Sequence, residues 1–359
     1  MNSRERVLTA LNHEEPDRVP IQADFTPEAA HLVSEHLKLE NTTAEAYSGK
    51  VSELPLILGH DMLVAWHGIA TSYYLHEDRD EYTCEWGIKW GWVDYPGGRY
   101  TNMIEPPLAD ESKLADYNCP DATEDWRYDS AKELLKEHGS THAIVGAMPC
   151  TLFEAAWYLR GYDRFLVDLV FNTDFVNELL DKLLVFQKET GTRLAGQDVD
   201  IIWLGDDFGT QDSLIISPEL WREFFKPRYA SLIEAIRAVK PDVKIAYHSD
   251  GNIEPLLPEY IEIGVDILNA VQPQSVDPAH LKRRFGKNLA YWGTLDIQDT
   301  FPHGSASDVE NEIRHRIETV APGGGLILGP SHNFQADVPL ENILAYYSAV
   351  DKYGKYPIN

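Results

Sequence analysis

Apolar residues in this 359-residue chain gather into eight short, nearly continuous runs, spanning 19–24, 61–67, 143–148, 199–205, 243–248, 265–271, 289–294 and 325–329. Runs of this kind suit parallel strands covered on both faces. Between them the apolar positions recur at helical spacing, as in 173–194, 218–239 and 308–320. Ser217-Pro218-Glu219 has the form of an N-cap followed by proline at the first helical position. Alternation of strand and helix predicts βαβ units.

Two stretches depart from this alternation. Residues 1–17 predict an amphipathic helix before the first strand, with Val7, Leu8 and Leu11 on one face. Residues 68–120 are rich in Tyr, Trp, Asp and Gly. There, segments 85–92 and 99–104, joined by Tyr95-Pro96-Gly97-Gly98, predict an antiparallel hairpin inserted between barrel strands two and three. An insertion at that point sits over the strand ends and can act as a lid. The expected architecture is one domain over 1–359, a closed (β/α)8 TIM barrel with an N-terminal helix and this inserted hairpin. The alternative, a doubly wound sheet, lacks its main sign, because no GxGxxG follows an early strand.

Composition narrows the function. Hydrophobic residues make up 43% of the chain, enough for a large core, and no apolar run approaches the roughly 20 residues of a membrane span. The opening residues lack an apolar stretch of signal-peptide type, so a cytoplasmic protein is expected. The net charge of −27 argues against nucleic acid and anionic membranes as partners. Cys84, Cys119 and Cys150 are sparse and odd in number, which fits a reducing compartment. No CxxC or HxC spacing exists, so a thiolate metal site of the ordinary kind is not encoded.

In a barrel the chemistry comes from the C-terminal strand ends. Polar residues concentrate there: Asp24, His67, Asp206 with Asp207, His248 with Asp250, Asn269 with Gln272, Asp296, and His332 with Asn333. His248 closes an apolar run, and Asp250, two residues on, can face the same side. The competing role for Asp250 is to cap the following helix together with Asn252. His332 follows Pro330, which stops the last strand; its competing role is a loop histidine bonded to backbone. Together His248, Asp250 and His332 form a three-ligand set suited to zinc, and equally to Fe(II). Asp206 and Asp207 are candidate acid–base or ligand-orienting groups, or else turn and cap formers around Gly209.

Several motifs in order resemble the uroporphyrinogen decarboxylase superfamily over nearly the whole chain. They are Arg4-Glu5-Arg6-Val7-Leu8-Thr9-Ala10-Leu11 with Pro16-Asp17-Arg18-Val19-Pro20, then Gly205-Asp206-Asp207-Phe208-Gly209-Thr210-Gln211, and His248-Ser249-Asp250-Gly251-Asn252-Ile253. Pro322-Gly323-Gly324-Gly325 and Pro339-Leu340-Glu341-Asn342-Ile343 close the series. The resemblance implies a (β/α)8 barrel and one of two activities: cofactor-free decarboxylation of uroporphyrinogen, or zinc-dependent methyl transfer to or from a corrinoid.

Decarboxylases of the family carry an arginine-rich motif after the first strand that holds the substrate's carboxylates. Here that stretch is Val19-Pro20-Ile21-Gln22-Ala23-Asp24-Phe25, with no arginine and an added acid. Like charge there disfavours a polycarboxylate. The family's catalytic tyrosine falls near Ala155, where no phenol is available, and only Asp61 matches the decarboxylase aspartate. The methyltransferase zinc ligands, an HxC pair and a later Cys, fall at His248-Ser249-Asp250 and at His332. Both thiolates are thus replaced by harder ligands, which favours a donor oxygen, as in a methyl ether or methanol-like group, over a thiol.

The resemblance therefore implies a methyltransferase half-reaction. A methyl group passes from a methoxylated or similar small donor to the corrinoid of a separate partner protein. Asp206 or Asp207 handles a proton or orients a ligand. Trp66, Trp157, Tyr247 and Trp292, with Asn269, Gln272 and Asp296, are the expected substrate contacts. The alternatives are a metal-free lyase or decarboxylase using Asp61, and a barrel that only binds a tetrapyrrole or corrinoid. Barrels of this kind often form homodimers.

Overall fold

The computed structural model describes residues 1–39, 53–76, 78–95 and 98–358. Seven parallel strands form one curled sheet in chain order: β1 Met62–Trp66, β5 Ala143–Pro149, β6 Ile201–Gly205, β7 Lys244–His248, β8 Ile267–Asn269, β9 Ala290–Leu295 and β10 Leu326–Pro330. A second, three-stranded antiparallel sheet holds β2 Glu81–Thr83, β3 Lys89–Tyr95 and β4 Gly98–Glu105.

The eighth stave is the segment expected as the first strand. It pairs only through two isolated parallel bridges, Ile21 with Leu328 and Phe25 with Phe334. Pro20 offers no N–H to a ladder, so regular pairing cannot extend through it. Single bonds still close the gap: Leu328 N–H donates to the Pro20 carbonyl, and Asp61 N–H to that of Ile21, each at 2.9 Å.

Alternation along the strands divides the core in two. Met62, Ala143, Val145, Ala147, Ile201, Trp203, Ala246, Ile267, Ala290, Trp292 and Ile327 fill the barrel interior. Val7 and Leu11 of the helix Ser3–Leu11 plug its lower end. The alternate residues, among them Ile202, Leu204, Ile245, Tyr247 and Leu268, belong to the larger core under the surrounding helices.

The other predicted elements appear with shifted ends. The long helix runs Thr173–Gly196, and Ser217 Oγ accepts from Leu220 N–H as an N-cap should. The 218–239 helix is continuous but widens to a π turn over Trp221–Phe225, just before Pro227, whose missing N–H breaks the regular ladder. The insertion differs from the expected hairpin. Residues 85–88 are not strand but a turn around Gly87, at φ +77°, which brings a third strand, β2, onto β3. Of its expected connection, Pro96 and Gly97 lie outside the described residues.

Candidate metal site at the barrel mouth

His248 is the last residue of β7, and alternation turns it inward with Ala246. Its Nδ1 lies 2.8 Å from Asn269 Oδ1. That oxygen also accepts from Trp203 Nε1 at 2.7 Å, while Asn269 Nδ2 donates to the Trp292 carbonyl. The amide orientation is therefore fixed, and Nδ1 must carry the imidazole proton. The lone pair of Nε2 is left facing Asp207 Oδ1 at 3.7 Å and Asp250 Oδ1 at 3.8 Å.

Asp250 does not cap a helix. Asn252 does that work, accepting from Glu254 N–H, and Asp250 Oδ1 is buried with no hydrogen-bond partner. His332, whose ring centroid lies 6.1 Å from that of His248, likewise buries Nδ1 without a partner. One ligand atom from each of His248, Asp250 and His332 falls within 4.8 Å of the others. Buried polar atoms without partners are costly and rare. Two of them, on residues whose ligand atoms converge with one of His248, fit a cation held between the three residues, and this donor set is one zinc accepts.

Two loops set this geometry by packing backbone on backbone. A Cβ on Gly209 would meet the Asp250 carbonyl oxygen at 2.5 Å, and one on Gly251, at φ +77°, would meet Gly209 C and the Thr210 carbonyl oxygen at 2.5 Å. Asp250 N–H donates to Asp207 Oδ1 at 2.7 Å, and Gly251 N–H to Gln272 Oε1 at 2.7 Å. Asp207 and Gln272 thus position the loop that carries Asp250.

Two spaces meet at His248 and His332. The inner one, of 50 Å³, is lined by Gln22, Asp24, Trp66, Trp203, Asn269 and Trp292 together with both histidines. The outer one, of 250 Å³, is lined by Tyr73, Tyr74, Cys150, Glu154 and Asp207 with the same histidines. Burial pushes Asp207 above the ordinary carboxylate range, and the charge of Asp250 adds to it. Burial raises Glu154 well above that range, with Asp207 and Asp206 adding.

Several expected site residues lie elsewhere. Asp61 sits before β1, at the N-terminal end opposite the mouth, fully buried and bonded to Arg6, Arg18 and Ile21 N–H. It ties the N-terminal helix to the barrel floor. Asp206 caps the helix Phe153–Arg160, accepting N–H bonds from Leu152, Phe153 and Glu154 and the Tyr229 hydroxyl. Burial raises it to about 6 against those bonds. Tyr247 points outward, packed on Tyr229 and Tyr260, because it neighbours the inward His248. Trp157 stacks on Tyr158, and Asp296 closes its own turn by accepting from Gln298 N–H; neither lines the two spaces. Trp66, Trp292 and Asn269 do line the inner one.

Sequence reasoning missed Trp203, Cys150, Glu154 and the two phenols. Trp203 stands two residues before the end of β6, and that spacing marks it as inward-facing. Tyr73 and Tyr74 come from the insertion, so phenols reach the mouth although position 155 itself is alanine.

Comparison with known proteins agrees with this architecture. The family described as Uroporphyrinogen decarboxylase (URO-D) matches residues 91–353. A methylated-thiol–coenzyme M methyltransferase of Methanosarcina mazei is 25% identical over 217 residues, 60% of this chain and 55% of that protein. Chloroplastic uroporphyrinogen decarboxylase 1 of Oryza sativa subsp. japonica is 24% identical over 179 residues, 50% of this chain and 40% of that protein. The chain thus spans about half the length of these curated relatives. Among solved structures, a methyltransferase from Methanosarcina mazei superposes with a TM-score of 0.73 at 18% identity, covering 98% of this chain and 99% of that one, which shows a shared fold. With the profile covering most of its length and the barrel in place, the chain belongs to the uroporphyrinogen decarboxylase family.

Proposed function

We propose that this protein is a metal-dependent methyltransferase. It takes a methyl group from a small methylated donor and passes it to a corrinoid carried by a separate protein docked over the mouth. The observation that carries this reading is the convergence of one ligand atom each from His248, Asp250 and His332 within 4.8 Å, with Asp250 Oδ1 and His332 Nδ1 buried without hydrogen-bond partners and the His248 ring locked by Asn269. His248, Asp250 and His332 would hold zinc; the same donor set suits Fe(II). Such an ion supplies Lewis acidity and, without thiolate ligands, favours a hard donor such as an ether or alcohol oxygen.

The chain's own residues do the rest. Asn269 fixes the His248 tautomer. Asp207 and Gln272 hold the Asp250 loop. The tryptophans of the inner space keep water out. The methyltransferase relative from Methanosarcina mazei supports the reaction class. A decarboxylase reading has less support, since Asp61 lies at the opposite end of the barrel, committed to two arginines.

The test is metal content of protein purified without chelator, followed by methyl transfer to a reduced corrinoid protein across a panel of methyl ethers, methanol and methylated thiols, read from the corrinoid spectrum. Near-stoichiometric zinc or iron, lost in His248→Ala together with transfer, is the expected result. Metal-free protein in which His248→Ala changes nothing overturns it.

A further inference from the structure

The inner space has a composition that the proposed reaction alone does not require. Three indoles, Trp66, Trp203 and Trp292, wall it. Trp66 and Trp203 stand nearly perpendicular, 81° apart with centroids at 5.7 Å, as two sides of a box. Trp203 and Trp292 are pinned, their Nε1–H groups donating to Asn269 Oδ1 and Gln22 Oε1. The Asp24 carboxyl shares this lining, and among the described residues neither Lys nor Arg lines the inner or the outer space.

A neutral methyl group would suit the three indoles by itself. It gives no account of the Asp24 carboxyl, which burial pushes above its ordinary range and whose charged form a cation in the same space would stabilise. Indole faces and a carboxylate around a small space are the chemistry that recognises alkylated ammonium groups. Size agrees. A water needs about 10–15 Å³ by the same measure, so 50 Å³ admits a compact head of a few heavy atoms. Charge agrees as well. The titratable side chains that line the two spaces beside the histidines include the acids Asp24, Glu154 and Asp207.

We infer that the inner box binds a methylated ammonium head. The binding stands apart from the methyltransferase reading, because an ammonium nitrogen has no lone pair to offer a metal ion.

The test is calorimetric titration of the purified protein with tetramethylammonium chloride and with tert-butanol, a neutral molecule of similar size. Tetramethylammonium should bind at least tenfold more tightly. Asp24→Asn should remove that preference while leaving tert-butanol unchanged, and Trp203→Leu should weaken both. Equal binding of the two probes, or a preference that survives Asp24→Asn, overturns the inference. The two proposals fail separately. Metal and methyl transfer from a neutral donor, without ammonium binding, would sink the ammonium site alone. Asp24-dependent ammonium binding in a metal-free protein inert toward the corrinoid would sink the methyltransferase reading alone.

Discussion

At the scale of single residues, the site depends on one amide. Asn269 accepts from His248 Nδ1 and from Trp203 Nε1, so it sets both the imidazole lone pair and one wall of the box. Groups that orient a metal-binding histidine in this way typically affect metal affinity by 10- to 100-fold. Asn269→Ala is therefore expected to weaken zinc binding by about that factor, measured by competition with a chelating dye, and to lower the melting temperature as well, because Trp203 Nε1 and the Trp292 carbonyl lose their buried partner. His67 makes a different point. It is buried and stacked on Tyr128, and burial lowers its imidazole from 6.5 to about 4. The folded protein holds it neutral, whereas the unfolded chain takes up a proton below 6.5. Its contribution to stability is thus whole above pH 6.5 and is lost as the pH falls towards 4. His67→Phe removes that dependence. The stability of the natural protein relative to this variant should drop by about 3 kcal/mol between pH 7.5 and 4, measured by urea unfolding. An unchanged difference would mean that His67 titrates normally in the fold.

At the scale of elements, the critical contact is between the loops after β6 and β7. Gly209 and Gly251 leave no room for a Cβ between the two backbones, and Gly251 also has a positive φ. Gly251→Ala must push the loops apart and carry Asp250 away from His248. The expected outcome is near-complete loss of bound metal with the barrel's circular dichroism retained, whereas alanine at the unobstructed Gly323→Ala position, also at positive φ, should cost only stability. This scale also explains what could be read in advance. His248, Asp250 and His332 are legible because His248 closes an apolar run and the other two follow the end of one. Asp61 matches the family's aspartate, but it opens its run rather than closing it, so it belongs to the barrel floor. Tyr247 stands near a strand end, as an expected substrate contact should, but neighbours on a strand face opposite ways and His248 takes the inward side. Asp206 and Asp207 could not be told apart, since beyond Gly205 the chain leaves the strand and its alternation no longer applies. Glu154 and Cys150 had no signal beyond following Pro149, the end of β5.

At the scale of the whole molecule, charge is the dominant feature. The chain carries 58 acidic side chains against 31 Lys and Arg. Many of the cations are already committed to local pairs, such as Arg127 with Glu85 and Lys226 with Glu262. Arg4 with Asp200 and Arg6 with Asp61 also fasten the N-terminal helix under the barrel. The remaining acids repel one another over distances comparable to the Debye length, about 10 Å at 0.1 M salt. Compaction brings them closer than in the unfolded chain, so self-repulsion destabilises the fold. Screening should relieve it. The melting temperature is expected to rise between 0.02 and 0.5 M NaCl, because the close pairs are screened less than the diffuse repulsion. A similar rise is expected in KCl, since screening depends on ionic strength rather than on the identity of the cation. A falling melting temperature would mean instead that the ion pairs fastening the N-terminal helix outweigh the repulsion. Arg6→Gln would then remove most of the salt sensitivity, whereas under net repulsion it lowers stability and leaves the upward slope in place.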